Sequence, residues 1–209
     1  MLADLCVRHD LIAICDEVWE HVTFAGAHTP LMALPGMRER CVKIGSAGKI
    51  LALAGWKVGW ILAAPPIARQ LAKAHQFLAF TTAPNLQAAV AYGLGKDVAW
   101  FAAMRADFAA QRDRLDAGLR AAGYVTLPSV ATWFLSIDLA ASGIDLDDEA
   151  FADRMISEGV ATIPMSAFYA ADPVRHIVRL CFTKSAGTID DALARFARAH
   201  ARLTGRPSS

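Results

Sequence analysis

Apolar and polar positions fall into blocks along this 209-residue chain, and the blocks change period from one to the next. Leu2, Leu5 and Cys6 recur at helical spacing, so residues 2–9 read as the end of a helix. Leu11-Ile12-Ala13-Ile14-Cys15 is apolar throughout, as expected of a strand covered on both faces of its sheet. Asp16-Glu17-Val18-Trp19-Glu20 follows at the C-terminal end of that strand, where open α/β sheets bind their ligands. Residues 21–40 are polar, rich in turn formers and broken by Pro30, Pro35 and Gly36, which predicts a surface excursion. A second strand over 41–44 runs into the small residues Gly45-Ser46-Ala47-Gly48 and then Lys49. An apolar run leads through Gly55-Trp56-Lys57 to a third strand over 58–62.

Pro65-Pro66 opens a helix to about Phe80, with Leu71, Ala74, His75 and Leu78 on one face, and residues 81–87 restart the chain as another helix. Residues 96–122 form one long amphipathic pattern carrying Trp100, Phe101, Met104, Phe108, Leu115 and Leu119, stopped by Gly123. Beyond it the period alternates. Strands are predicted over 132–137, 160–163 and 177–182. A helix over 147–158 opens on acidic residues, and a last helix runs from 188 to about 203. The fold class is therefore α/β, followed by a small α+β layer. Residues 205–209 read as a loose tail.

A formal net charge of +1 offers no electrostatic basis for binding nucleic acid or an acidic membrane surface, and no apolar run reaches membrane-spanning length. The 55% hydrophobic content suits one large or two small domains with a sizeable core. Cys6, Cys15, Cys41 and Cys181 are scattered without a Cys-x-x-Cys pair, which suits free thiols in a reducing cytoplasm. The six histidines lack metal-ligand spacing, so no metal is expected. The N-terminal residues do not have the basic start and apolar core of a signal peptide.

Two positions stand out chemically. Lys49 lies in apolar surroundings, where desolvation disfavours the ammonium and leaves a nucleophilic amine able to condense with an aldehyde. Arg179 sits mid-strand in Val178-Arg179-Leu180, where an unpaired cation is costly and a two-point carboxylate partner resolves the cost. Plain structural readings stand beside these: an exposed loop lysine at 49, a turn-capping aspartate at 16, a surface lysine at 57, and an arginine at 179 facing solvent or paired internally. A phosphate loop is excluded at 43–50, since Lys43 and Ile50 occupy positions that need glycine and Ser/Thr.

Ser46, Lys49, Gly55, Trp56, Lys57 and Gly59 together resemble the cofactor-lysine segment of the pyridoxal-phosphate aminotransferases of fold type I, class I/II, which reads Ser-x-x-Lys, then Gly-(Trp/Leu/Tyr)-(Arg/Lys)-x-Gly. Pro30-Leu31 and Leu34-Pro35-Gly36-Met37-Arg38-Glu39-Arg40 are similar to the branch with glutamine/kynurenine and methionine aminotransferases. The resemblance implies pyridoxal 5'-phosphate as cofactor, held as a resting Schiff base by Lys49. It implies a buried Asp16 on the pyridine nitrogen, Ser46 and Lys57 on the phosphate, and Arg179 on the substrate carboxylate. It implies amino acid and 2-oxo acid substrates and a homodimer, with Thr82 in a loop that serves the neighbouring subunit. Lys49, Asp16 and Arg179 are expected to share one cleft. Trp19 stands at the remaining cofactor-binding position but departs from the pattern: tyrosine is usual there, and indole has one N–H donor and no titratable hydroxyl, so Trp19 either donates to the cofactor from a different position or that contact is absent.

By the same resemblance residues 1–95 are the C-terminal part of a large cofactor domain of mostly parallel sheet with helices on both faces. Residues 96–123 are the interdomain helix and 124–204 the small domain. The chain is expected to be the C-terminal half of a longer protein, with part of the cofactor cradle outside it and weak cofactor retention alone. A lyase or decarboxylase of the same fold, or a fragment without chemistry, are the alternatives.

Overall fold

A computed structural model describes residues 1–205. The chain divides into two compact units, Met1–Ala103 and a second that starts at Met104. The division falls inside a single helix, Val98–Ala121.

The first unit is built on a three-stranded sheet in sequence order, β1 (Ala13–Asp16), β2 (Cys41–Ser46) and β3 (Gly59–Leu62). β1 and β2 are parallel, with Ala13 opposite Cys41 and Asp16 opposite Ile44; β2 and β3 are antiparallel, with Gly45 opposite Trp60 and Ser46 opposite Gly59. The sheet is thus mixed rather than mostly parallel within these residues. The long excursion over 17–40 supplies the crossover that a parallel pair needs.

Side chains on one face of β1, Ala13 and Cys15, pack on helix α1 (Leu2–Arg8) through Ala3 and Cys6, together with Met37 and Cys41. The opposite face is open: Ile14 is 72% and Ile12 63% exposed. The apolar run of β1 is therefore covered on one side only, because no described element lies against the other. A second small core joins Ala47, Val58 and Val90 with Leu51, Trp60 and Leu86.

Between these elements stand the helical turn α2 (Ala47–Ile50) and helices α3 (Pro65–Leu78) and α4 (Pro84–Leu94), each longer helix opened by proline. α3 buries no residue, and Phe77 and Leu78 are 86% and 85% exposed. Of its predicted face only Leu71 is half-buried. Helical spacing sets which residues share a face, but burial needs a partner surface.

The long helix is α5 (Val98–Ala121). The second unit that it enters is a four-stranded antiparallel sheet ordered β4-β5-β7-β6, from β4 (Val125–Thr126), β5 (Phe134–Asp138), β6 (Ile163–Pro164) and β7 (Ile177–Cys181). Leu135, Ile137, Val178 and Leu180 are buried on one face. Phe134, Ser136 and Arg179 alternate to the other. Helix α6 (Asp148–Ser157) begins where Asp147 accepts a hydrogen bond from the Ala150 amide at 2.8 Å. Helix α7 (Ala186–Thr204) begins two residues earlier than its periodicity predicts, because Ser185 caps it through the Thr188 amide. Gly123 ends the turn after α5 at φ +95°, and a Cβ there would lie 2.6 Å from the His200 ring. The short β4 is too brief to be legible from alternation. Of the predicted tail over 205–209 only Gly205, left-handed at the end of α7, is described; the rest lies outside the described residues.

Candidate active site

Three glycines let the lysine segment fold tightly on itself. A Cβ on Gly45 would lie 2.3 Å from the Trp60 indole, one on Gly59 2.8 Å from the Gly45 carbonyl, and one on Gly48 3.0 Å from the Ala54 Cα. Ala47 donates its amide to the Val58 carbonyl at 3.0 Å, tying the turn to the lead-in of β3. Lys49 stands half-buried on α2, flanked by the buried Ala47, Gly48 and Ile50. Its Nζ is 5.3 Å from the centroid of the Trp19 ring, within cation–π range. The indole thus meets the lysine itself.

Asp16 closes β1, beside Ile44 of β2, and the next amide, Glu17, donates to the Ile44 carbonyl at 3.1 Å. Its carboxylate is exposed rather than buried, with one long bond from the Val18 amide at 3.4 Å, because the outer face of β1 is open. Ser46 occupies the cap position of α2, but its hydroxyl makes no capping bond. Lys57 is exposed and adopts a left-handed conformation at φ 55°, ψ 39°. It lines an open cavity of about 520 Å³ with Gly45, Gly59, Trp60, His75 and Thr82; Asp16, Ser46 and Lys49 are not in that lining.

A cluster of buried charge behind the site is not evident from periodicity. Lys43, buried on β2, pairs with Glu20 and lies 3.9 Å from Glu17. Glu17 also bonds the His28 Nε2 at 2.9 Å and accepts the Leu31 amide at 3.1 Å. The signal was present: a lysine inside an apolar strand, and two glutamates just past its parallel neighbour. On the same strand, burial and the Cys15 thiol 3.7 Å away push the Cys41 thiol up to about 12.

Arg179 belongs to the second unit. Its guanidinium lies between two rings, with Cζ 4.1 Å from the centroid of Phe134 and 4.6 Å from that of Phe168. Its Nε is buried without a hydrogen-bond partner, and no carboxylate among the described residues pairs with it. The aromatic flanks were not anticipated. Phe134 is diagonal to Arg179 across the β5–β7 ladder, whereas Phe168 arrives by a turn after β6.

No helix among the described residues is long and apolar enough to cross a membrane. The family profile described as aminotransferase class I and II matches residues 1–196. The probable N-succinyldiaminopimelate aminotransferase DapC of Mycobacterium tuberculosis is 38% identical over 204 residues, covering 93% of this chain and 51% of that protein. The solved structure of N-succinyldiaminopimelate aminotransferase from that organism superposes with a TM-score of 0.89 at 38% identity, over 94% of this chain and 52% of the other. Methionine aminotransferase of Escherichia coli is 38% identical over 184 residues, 87% of this chain and 47% of that enzyme. The chain spans about half the length of the curated relatives it matches. With this match along nearly its whole length, the chain belongs to the class I and II aminotransferase family.

Proposed function

We propose that the protein is a transaminase that moves an amino group from an amino acid to a 2-oxo acid, with Lys49 as its working amine. The observation that carries this is the placing of Lys49: a single half-buried lysine on a glycine-packed turn, its amine over Trp19, one strand away from Asp16. Class I and II aminotransferases use pyridoxal phosphate. The donor set fits that group. Lys49 offers an amine for its aldehyde, Asp16 a carboxylate for its ring nitrogen, and Ser46 and Lys57 a hydroxyl and an ammonium for its phosphate. When bound, pyridoxal phosphate supplies an electron sink for the pair released at the substrate α-carbon.

The residues of the chain do the rest. The Lys49 amine takes the α-proton and returns it on the way to the product, as positioned general base and then acid. Trp19 holds the Lys49 amine over its ring face, which fixes where the amine stands. The Asp16 carboxylate keeps a protonated ring nitrogen charged. Arg179, flanked by Phe134 and Phe168 and without an internal carboxylate, takes the substrate carboxylate as a two-point fork. A homodimer is the assembly proposed, and the free thiols support a reducing compartment such as the cytoplasm.

Trapping tests the reading. Purified chain is mixed with millimolar pyridoxal phosphate, reduced with borohydride and mapped by mass spectrometry. Preferential labelling of Lys49 over the exposed Lys73 and Lys184, lost in Lys49→Ala, is the expected result. Equal labelling of the three would refute the role of Lys49. In turnover assays a 2-oxo acid product is expected; release of ammonia or sulfide would instead identify a lyase.

A further inference from the structure

We propose that Asp148 is a positioning residue for Arg179, acting through the ring of Phe168. Asp148 is fully buried at the first position of α6, and it is clamped on two sides. Its amide donates to the Arg175 carbonyl at 2.7 Å, just ahead of β7, the strand that carries Arg179. Its carboxylate Oδ2 accepts the Ser166 amide at 2.7 Å, at the start of the helical turn Ser166–Phe168. One residue therefore holds both the lead-in of the arginine strand and the turn that delivers Phe168 over the guanidinium.

The two rings flanking Arg179 are not held alike. Phe134 belongs to β5 and is fixed by the ladder to β7, with Ser136 opposite Arg179. Phe168 is 56% exposed and stands beyond the two-residue β6, whose Ile163 is opposite Arg179. Around the turn the remaining main-chain bonds are Met165 amide to Ile177 carbonyl, Phe168 amide to Met165 carbonyl and Tyr169 amide to Ser166 carbonyl, all 3.1 Å, of which only the first ties the turn to the rest of the unit. The Asp148 bond is the side-chain bond that fastens the turn, and at 2.7 Å in a fully buried place it is short and shielded from water, while the other carboxylate oxygen, Oδ1, is buried without a partner. Losing it frees Phe168 to leave the guanidinium, and Arg179 then gives up half of its aromatic cage and the orientation that cage imposes.

This inference rests on the carboxylate-binding role proposed for Arg179, and the experiment separates the two. The Arg179 Nε–Hε resonance of the full chain is followed by NMR and titrated with sodium propionate against chloride at constant ionic strength. In the wild type propionate shifts that resonance, and Arg179→Met, which lacks it, serves to assign it. Phe168→Leu, at an exposed position, and Asp148→Ala are each expected to move the resting resonance out of its ring-current position and to weaken propionate about two- to fivefold, the range of an exposed cation–π contact. Phe168→Tyr and Asp148→Asn, which keep the ring and the acceptor oxygen, are expected to restore both. If Phe168→Leu and Asp148→Ala leave the resonance and the propionate response unchanged, the positioning role is overturned while the carboxylate role stands. If wild-type Arg179 does not respond to propionate, the carboxylate role fails, and the resting resonance alone still decides whether Asp148 and Phe168 set its position.

Discussion

The Trp19 ring stands beneath the Lys49 ammonium, 5.3 Å from Nζ to the ring centroid. The ring face attracts a cation set over it, a contact worth about 0.5–1 kcal/mol at a partly exposed site, and so fixes where the amine stands. Trp19→Leu removes this contact, which the amine gives up when it reacts, and should therefore raise the rate of borohydride trapping at Lys49 about two- to fivefold, by the same energy, while Trp19→Phe stays near wild type. An unchanged rate in Trp19→Leu would show that the contact does not govern the amine.

Lys43 pairs with Glu20 and lies 3.9 Å from Glu17 inside the first unit. Lys43→Met leaves the Glu20 carboxylate without its paired cation, a loss of about 3–5 kcal/mol for a broken buried pair. Adding Glu20→Gln should recover a large part of it. Urea unfolding followed by a probe in the first unit measures both steps; a single-variant loss below 1 kcal/mol would mean that water reaches the pair.

Gly45 and Gly59 forbid a Cβ for different reasons. At Gly45 the obstacle is the Trp60 indole, and at Gly59 it is the Gly45 carbonyl. Each alanine substitution should cost about 1–3 kcal/mol by overpacking. Trp60→Leu should rescue Gly45→Ala but not Gly59→Ala, because a side chain can be shortened and a backbone carbonyl cannot. Equal rescue in thermal unfolding would show the two contacts to be coupled.

Cys41 supplies a pH dependence with a definite sign. Its thiol ionises at about 12 in the folded chain against an ordinary 9.0, so the folded state holds its proton where the unfolded state has lost it. That contribution to stability is intact below pH 9, declines as the pH rises above it, and is gone by about 12. Urea midpoints should fall more steeply with alkaline pH in the wild type than in Cys41→Ala. In native alkylation at pH 8, Cys41 should react after Cys15, since only the thiolate attacks.

The order of elements was legible from period and punctuation, because helix and strand patterns are local and Pro65, Pro84 and Gly123 mark their ends. What failed was coverage. Ile14 and Leu78 have core-like patterns and are exposed, since a pattern states what a face could bury and not whether anything lies against it. The expected burial of Asp16 fails for the same reason.

The spacing of Ser46, Lys49, Gly55, Lys57 and Gly59 is a local property, readable without coordinates because backbone geometry ties each residue to the next. The partners of those residues are not local. Trp19 reaches Lys49, and Glu20 reaches Lys43 across 23 positions, only because β1 and β2 lie side by side. Phe168 reaches Arg179 because Asp148 and β6 bring a distant turn onto β7. Chain order dictates which chemical groups are available; strand pairing decides which of them meet, since contact across a sheet depends on register and neighbour order rather than on sequence distance.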